Sequence, residues 1–322
     1  MIYPCPIKIA GTGICMPEQV MNNGDLEKEC GLEPGWCKKE LGVISRRWAV
    51  SETQSEMGAA AARGAIASAG LDDFDIDLII NASMSFEQKV PDGGPLIQKQ
   101  LGLEASGIPS ITIQSGCQSF ISAFDLSCSL IMSKRYRNIL IVSSEVVSAL
   151  LDKQNTEAYC LFGDGAGAVV VTPSEEAEGS RVMKIVTRTY DEHIQAVYSK
   201  YGLKAFQENI NEPGGVALQL DNKLFKKKGI EYGKSLLKSL LDGYAADDIN
   251  AAILQHSPLR SMKIFNEDKV MNSVSRYGLC GAASYPVTLH EAVKEGRVKR
   301  GDLLLMGGIG DGITAGGILI RY

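Results

Sequence analysis

The chain of 322 residues is long enough to bury two domain-sized cores, and 45% hydrophobic with 22% charged residues excludes a disordered chain. A formal net charge of -5 argues against nucleic acid as the main partner. No apolar run approaches the roughly 20 residues of a membrane span, and Met1 leads directly into a strand-like segment without a cleavable leader, so the chain reads as cytoplasmic and free of the membrane.

Short β-branched runs predict strands at Ile7–Gly11, Leu78–Ala82, Ser110–Ile113, Ile139–Val142 and Ala166–Val171. Helical periodicity predicts helices over Gln54–Ala69, Gly93–Leu101 and Gln118–Ser133. A second series follows, with helices near Lys223–Leu241, Leu259–Glu267 and Pro286–Glu295 and strands near Ala251–Gln255, Leu303–Met306 and Gly316–Ile320. This alternation is that of an α/β protein.

The two series repeat one plan. Gly163-Asp164-Gly165 and Gly310-Asp311-Gly312 each precede small residues and a β-branched run. An acidic turn, Asp72-Asp73 or Asp247-Asp248, precedes the matching strands Leu78–Ala82 and Ala251–Gln255. The expected units are therefore residues 1–173 and 174–322, meeting at the acidic stretch Ser174–Ser180 and packing as one body with a site between them. The fold of Ile194–Ala217 does not follow from its sequence.

Eight cysteines at positions 5, 15, 30, 37, 117, 128, 160 and 280 show no C-x-x-C pair, so neither a disulfide framework nor a zinc site is indicated. Cys117 stands between a β-branched strand and an apolar helix. Unpaired N–H groups and the positive end of the macrodipole at a helix start favour a thiolate, the nucleophilic form. A cysteine in apolar sequence is more often a small packed hydrophobe, so the other residues decide. Of three histidines, His256 ends the strand Ala251–Gln255, at the kind of strand end where α/β sheets place their sites. Polar strand ends are common, which leaves His256 alone evenly balanced; His193 and His290 read as exposed or structural. Lys223, Lys226, Lys227, Lys228, Lys234 and Lys238 crowd one expected helix, either as a docking face for an acidic protein or as a solvated surface.

Together these features resemble the β-ketoacyl-acyl-carrier-protein synthase III enzymes of the thiolase-like superfamily. The resemblance covers nearly the whole chain: Gly11-Thr12-Gly13 with Met16-Pro17-Glu18, Cys117 after its strand, Phe162-Gly163-Asp164-Gly165-Ala166-Gly167-Ala168, His256, Ala282-Ala283-Ser284 and the closing Gly-rich segment. It implies two similar halves layered αβαβα on mixed five-stranded sheets. It also implies a homodimer whose partner loop, with Val90 before Pro91, closes the acyl pocket. Cys117 would take an acyl group from an acyl-carrier-protein or coenzyme A thioester, with no metal and no further cofactor. The N–H groups of Cys117 and Gly312 would hold the oxyanion, although a tight turn needs glycine at 312 equally. Phe162 would line the pocket and Trp36 would pack on the adenine of coenzyme A.

Several positions depart from the family pattern. Leu279 stands where a second-half Asn partners the histidine in stabilising the enolate formed when a malonyl group loses CO₂; one lost donor is worth about 10²–10³ in rate. Glu40 and Thr156 replace arginines that hold coenzyme A, and Ser257-Pro258-Leu259-Arg260 replaces a Gln-Ala-Asn run, with Arg260 able to shift into a substrate-binding place. Cys280 invites a thiolase-like base, but thiolases carry that cysteine in the closing segment, where this chain has Met306-Gly307-Gly308. The expected function is acyl transfer from Cys117 to an acceptor, with His256 as base, without efficient malonyl decarboxylation, in fatty-acid-related or specialised metabolism. A carrier protein would dock near Lys226. The alternatives are a conventional initiator of fatty-acid synthesis and a non-catalytic subunit of a heteromeric condensing enzyme.

Overall fold

The computed structural model describes residues 4–199, 217–255, 259 and 261–322. Ile139 to Val142, a continuous β-branched and leucine run, is fully buried, as a strand covered on both faces must be. Around it the first sheet runs in the order Ile7–Cys15, Gly165–Pro173, Ile139–Glu145, Leu78–Asn81 and Ser110–Thr112. The first two pairings are antiparallel and the last two parallel.

The second sheet repeats that scheme strand for strand. Its order is Arg181–Thr189, Thr314–Arg321, Leu303–Gly310, Ala251–Leu254 and Val270–Met271, again with two antiparallel pairings followed by two parallel ones. Leu78–Asn81 and Ala251–Leu254 thus occupy equivalent places, as do the strands that follow or overlap the two Gly-Asp-Gly motifs. The duplication is one of topology.

Helices separate and cover the sheets. Gln54–Ser68, opened by a reciprocal Thr53–Glu56 capping box, lies on the outer face of the first sheet. Its alanines permit close approach: a Cβ on Gly13 of the adjoining strand would stand 2.2 Å from the Ala61 carbonyl oxygen. Between the sheets lie Ser119–Met132 and Ser284–Lys294, where Phe120 stacks on Tyr285 with ring centroids 5.9 Å apart. One apolar cluster joins these two helices to strands of both halves. Asn222–Leu240 covers the second sheet, burying Leu236, Leu237 and Leu240 beside Leu305 and Leu319. The layering is αβαβα, with a mixed five-stranded sheet in each half.

Some expectations need correction. The strand Arg181–Thr189 has no strongly apolar pattern because it is a sheet edge whose polar side chains serve packing: Lys184 donates to the Ser239 carbonyl at 3.0 Å and Arg188 to Ser235 Oγ at 2.7 Å on the covering helix. The expected helix Leu259–Glu267 begins partly outside the described residues, and Lys263 to Asn266 is not helical. Lys263 has φ 47°, a left-handed conformation that cannot continue the helix. The hairpin of Val20–Asn22 with Ser45–Arg47 and the short helix Thr156–Leu161 were not foreseen.

Candidate active site

Cys117 sits at a tight corner between Ser110–Thr112 and Ser119–Met132 and is 3% exposed. Ser119 Oγ donates to the Gly116 carbonyl at 2.6 Å and accepts from Ser115 N at 2.9 Å, which fixes the corner. The helix begins at Ser119, two residues past the thiol, rather than at Gln118. The Cys117 Sγ lies 3.7 Å from Met84 Sδ, and its backbone N–H donates to Asp311 Oδ1 at 3.0 Å. Gly116, at φ 54°, is required on two counts: a Cβ there would meet that same Asp311 oxygen at 1.5 Å.

The expected thiolate does not follow from this geometry. Burial is the largest influence and the negative charges of Asp311 and Glu145 add to it, so the Cys117 thiol is pushed well above its ordinary range. Its own N–H and that of Asp311 pull the other way and are outweighed.

The second half closes on this corner. Gln118, fully buried, approaches Gln255 Oε1 with its Nε2 at 3.4 Å and accepts from Tyr285 Oη at 3.1 Å. Gln255 in turn donates to the Gly281 carbonyl. Cys117, Gln255, Leu279, Phe162, Gly310 and Asp311 line one cleft, with Glu40, Asn222 and Lys226 also on its walls. Leu279 is 2% exposed; its N–H goes to the Leu161 carbonyl at 2.9 Å and its carbonyl accepts from Gly163 N at 3.2 Å. It therefore offers the cleft an aliphatic surface and no donor.

Glu145, which the sequence reading passed over, is buried beneath the cleft. It accepts from Met84 N at 2.7 Å, Ser85 N at 2.8 Å, Ser85 Oγ at 2.6 Å and Ala282 N at 3.3 Å. Burial pushes its carboxyl up to about 7 despite these donors. Asp311 was noticed only as half of a repeated Gly-Asp-Gly. The two aspartates differ in use: Asp164 accepts from Ala49 N and Ser148 N, both at 2.8 Å, and braces the first half. A lone charge in the glycine-rich closing segment was the available signal.

The other expected residues fall as follows. Gly312 has φ 107° in the turn after Gly310; Gly310 and Asp311, not Gly312, line the cleft. Cys280 lies in a separate small cluster with Ala283 and Val287, its thiol directed at the Asp164 carbonyl at 3.5 Å and pushed well up by burial, so it is badly placed to act as a base in the cleft. Trp36 is half-buried against the second core, and Val90 is 86% exposed on a loop and is not among the residues lining the cleft. Thr156 begins a short helix, donating to the Lys153 carbonyl at 3.2 Å. His256, Ser257, Pro258 and Arg260 lie outside the described residues, although Gln255, the chain neighbour of His256, is in the cleft.

Comparison with known proteins agrees with this architecture. The family profile described as 3-oxoacyl-[acyl-carrier-protein (ACP)] synthase III matches residues 111–191, around Cys117, and its C-terminal counterpart matches residues 238–322, which hold Leu279 and Asp311. The β-ketoacyl-[acyl-carrier-protein] synthase III of Aquifex aeolicus (strain VF5) is 33% identical over 323 residues, 98% of this chain and 99% of its own. The chain belongs to the 3-oxoacyl-[acyl-carrier-protein] synthase III family. Synthase III 1 of Vibrio vulnificus (strain YJ016) is likewise 33% identical, over 98% of this chain and 99% of its own. The crystal structure of the Aquifex aeolicus synthase III aligns with a TM-score of 0.89 at 31% identity, covering 98% of this chain and 100% of that one. Membership of the synthase III family makes the chain a transferase of the ketoacyl synthase kind with a thiolase-like fold. No helix among the described residues is long and apolar enough to cross a membrane.

Proposed function

We propose that the chain is an acyltransferase of fatty-acid-related or specialised metabolism that loads an acyl group on Cys117 and passes it to an acceptor without efficient malonyl decarboxylation. Leu279 carries this reading. Its side chain faces the cleft shared with Cys117 and has nothing to donate to a developing enolate. In the proposed loading step Cys117 Sγ attacks the thioester carbonyl, the carrier thiol leaves, and the Cys117 proton passes to a base and on to that thiol. A thiol held protonated by burial needs such a base at the moment of attack, and His256 is assigned the role. The same base would then take the proton of the acceptor. Acyl-carrier-borne thioesters fit as donors because Lys226 lines the cleft on the lysine-rich helix; the acting form is expected to be a homodimer, with Val90 reaching the partner's pocket.

A second reading is favoured by the end-to-end match to relatives named β-ketoacyl-[acyl-carrier-protein] synthase III, namely conventional initiation of fatty-acid synthesis. Single-turnover measurement separates the two. Acyl transfer predicts an acyl adduct on Cys117 by mass spectrometry together with malonyl-carrier decarboxylation roughly 10²–10³ slower than a donor-complete site supports. Rapid decarboxylation would establish the conventional reading, and absence of any Cys117 adduct would indicate a non-catalytic subunit.

A further inference from the structure

We infer that Asp311 sets the charge class of the acceptor, excluding molecules that carry a free carboxylate next to the reacting carbon. The inference deepens the acyl-transfer reading above and rests on it. Asp311 Oδ1 stands 3.0 Å from the Cys117 N–H, over a glycine whose Cβ would occupy its place, so the carboxylate is seated on the nucleophile corner itself. The residue lines the cleft and is partly exposed to it. Among the described residues no cation pairs with it.

The Cys117 N–H is the donor that an acyl carbonyl on Sγ would use. When the carbonyl takes it, the Asp311 carboxylate turns aside but stays within one side chain's reach of the acyl carbon. In either position a negative charge stands where the acceptor must approach, beside the apolar walls of Leu279 and Phe162. A malonyl-type acceptor would bring its own carboxylate into that space. Two carboxylates about 6 Å apart at an effective dielectric near 20 disfavour one another by roughly a hundredfold. A neutral hydroxyl or amine instead donates a hydrogen bond to the carboxylate. Leu279 and Asp311 then act on different terms: the first withholds enolate stabilisation and the second disfavours entry of the anion.

Calorimetric binding to the full chain tests this with two amide analogues of a pantetheine thioester, nitrogen replacing the reactive sulfur so that Cys117 is not acylated. One carries a malonyl group and the other its neutral isostere, a malonamyl group. The wild type is expected to bind the neutral analogue about 10²-fold more tightly. Asp311→Asn, and independently Asp311→Ser, should bring the two affinities within about threefold of each other, since both remove the charge and keep a polar side chain. A residue serving only to brace the corner would change both affinities in parallel. Equal binding by the wild type, or an undiminished preference in either folded variant, would overturn the inference. Because no acyl transfer occurs, the result is independent of whether Cys117 forms an adduct.

Discussion

At the scale of single residues, Cys117 is held as a thiol. Helix-start electrostatics are real but act within the first turn, while Cys117 precedes that turn, is buried, and has two carboxylates nearby. Alkylation of Cys117 by iodoacetamide should therefore be slower at pH 7 than that of an exposed cysteine and should still be rising beyond pH 9; a plateau below pH 8, read by peptide mass spectrometry, would contradict this. Asp311→Asn should raise the rate at pH 8 by about tenfold by removing one of those charges. On the same cleft, the proposed function makes Leu279→Asn the gain of a side-chain donor. Malonyl decarboxylation should increase by up to 10²-fold on the usual scale of one such donor, and further when combined with Asp311→Asn.

At the scale of elements, Glu145 links three segments, since its carboxylate receives the N–H groups of Met84, Ser85 and Ala282 from the two halves. Its carboxyl rises from 4.5 to about 7 on folding, so its contribution is full below pH 4.5 and is lost as pH climbs through 7. Compared with Glu145→Gln, whose side chain does not titrate, the wild type should lose about 3 kcal/mol of relative stability between pH 4 and pH 8. Urea denaturation at both pH values measures it, and a wild-type stability that holds or rises relative to Glu145→Gln from pH 4 to pH 8 would refute it. On the helix Asn222–Leu240, Lys223, Lys227, Lys234 and Lys238 are exposed, whereas Lys228 is engaged with Glu231 at 2.9 Å. Reversing Lys223 and Lys227 should raise KM by about tenfold for carrier-protein-borne substrates and leave pantetheine substrates unaffected, a difference that steady-state kinetics resolves. The elements that sequence conveyed well are the continuous buried strands and the amphipathic helices, whose periods are strong. The edge strand Arg181–Thr189 escaped because its cations look like surface, and the hairpin of Val20–Asn22 because three residues carry no period. The duplicated plan brought Cys117 to the end of the strand Ala251–Gln255, and the family resemblance placed Leu279 beside them. The grip of Asp311 on the Cys117 amide could not, because it joins positions 194 residues apart and depends on a side-chain direction.

At the scale of the whole molecule, the halves share their interior. Phe120 and Phe124 of the first half pack in one cluster with Tyr285 and Leu289 of the second, and strands from both sheets complete it. Neither half has a separate centre between the sheets, so unfolding should be one cooperative event. Far-ultraviolet circular dichroism and tryptophan fluorescence should give coincident urea transitions; two resolved steps would show that the halves stand independently.

The amide hydrogen of Cys117, contributed by one copy of the duplicated unit, is answered by a side chain of the other copy. This separates two inherited tasks. Under the proposed function the first copy holds Cys117, which would capture the acyl group, and the second supplies Leu279 and Asp311, which line the same cleft. Changes at Leu279 and Asp311 alone could then alter the choice of recipient while Cys117 and its assigned base stay in place, so the input and the output of one cleft can evolve at different speeds.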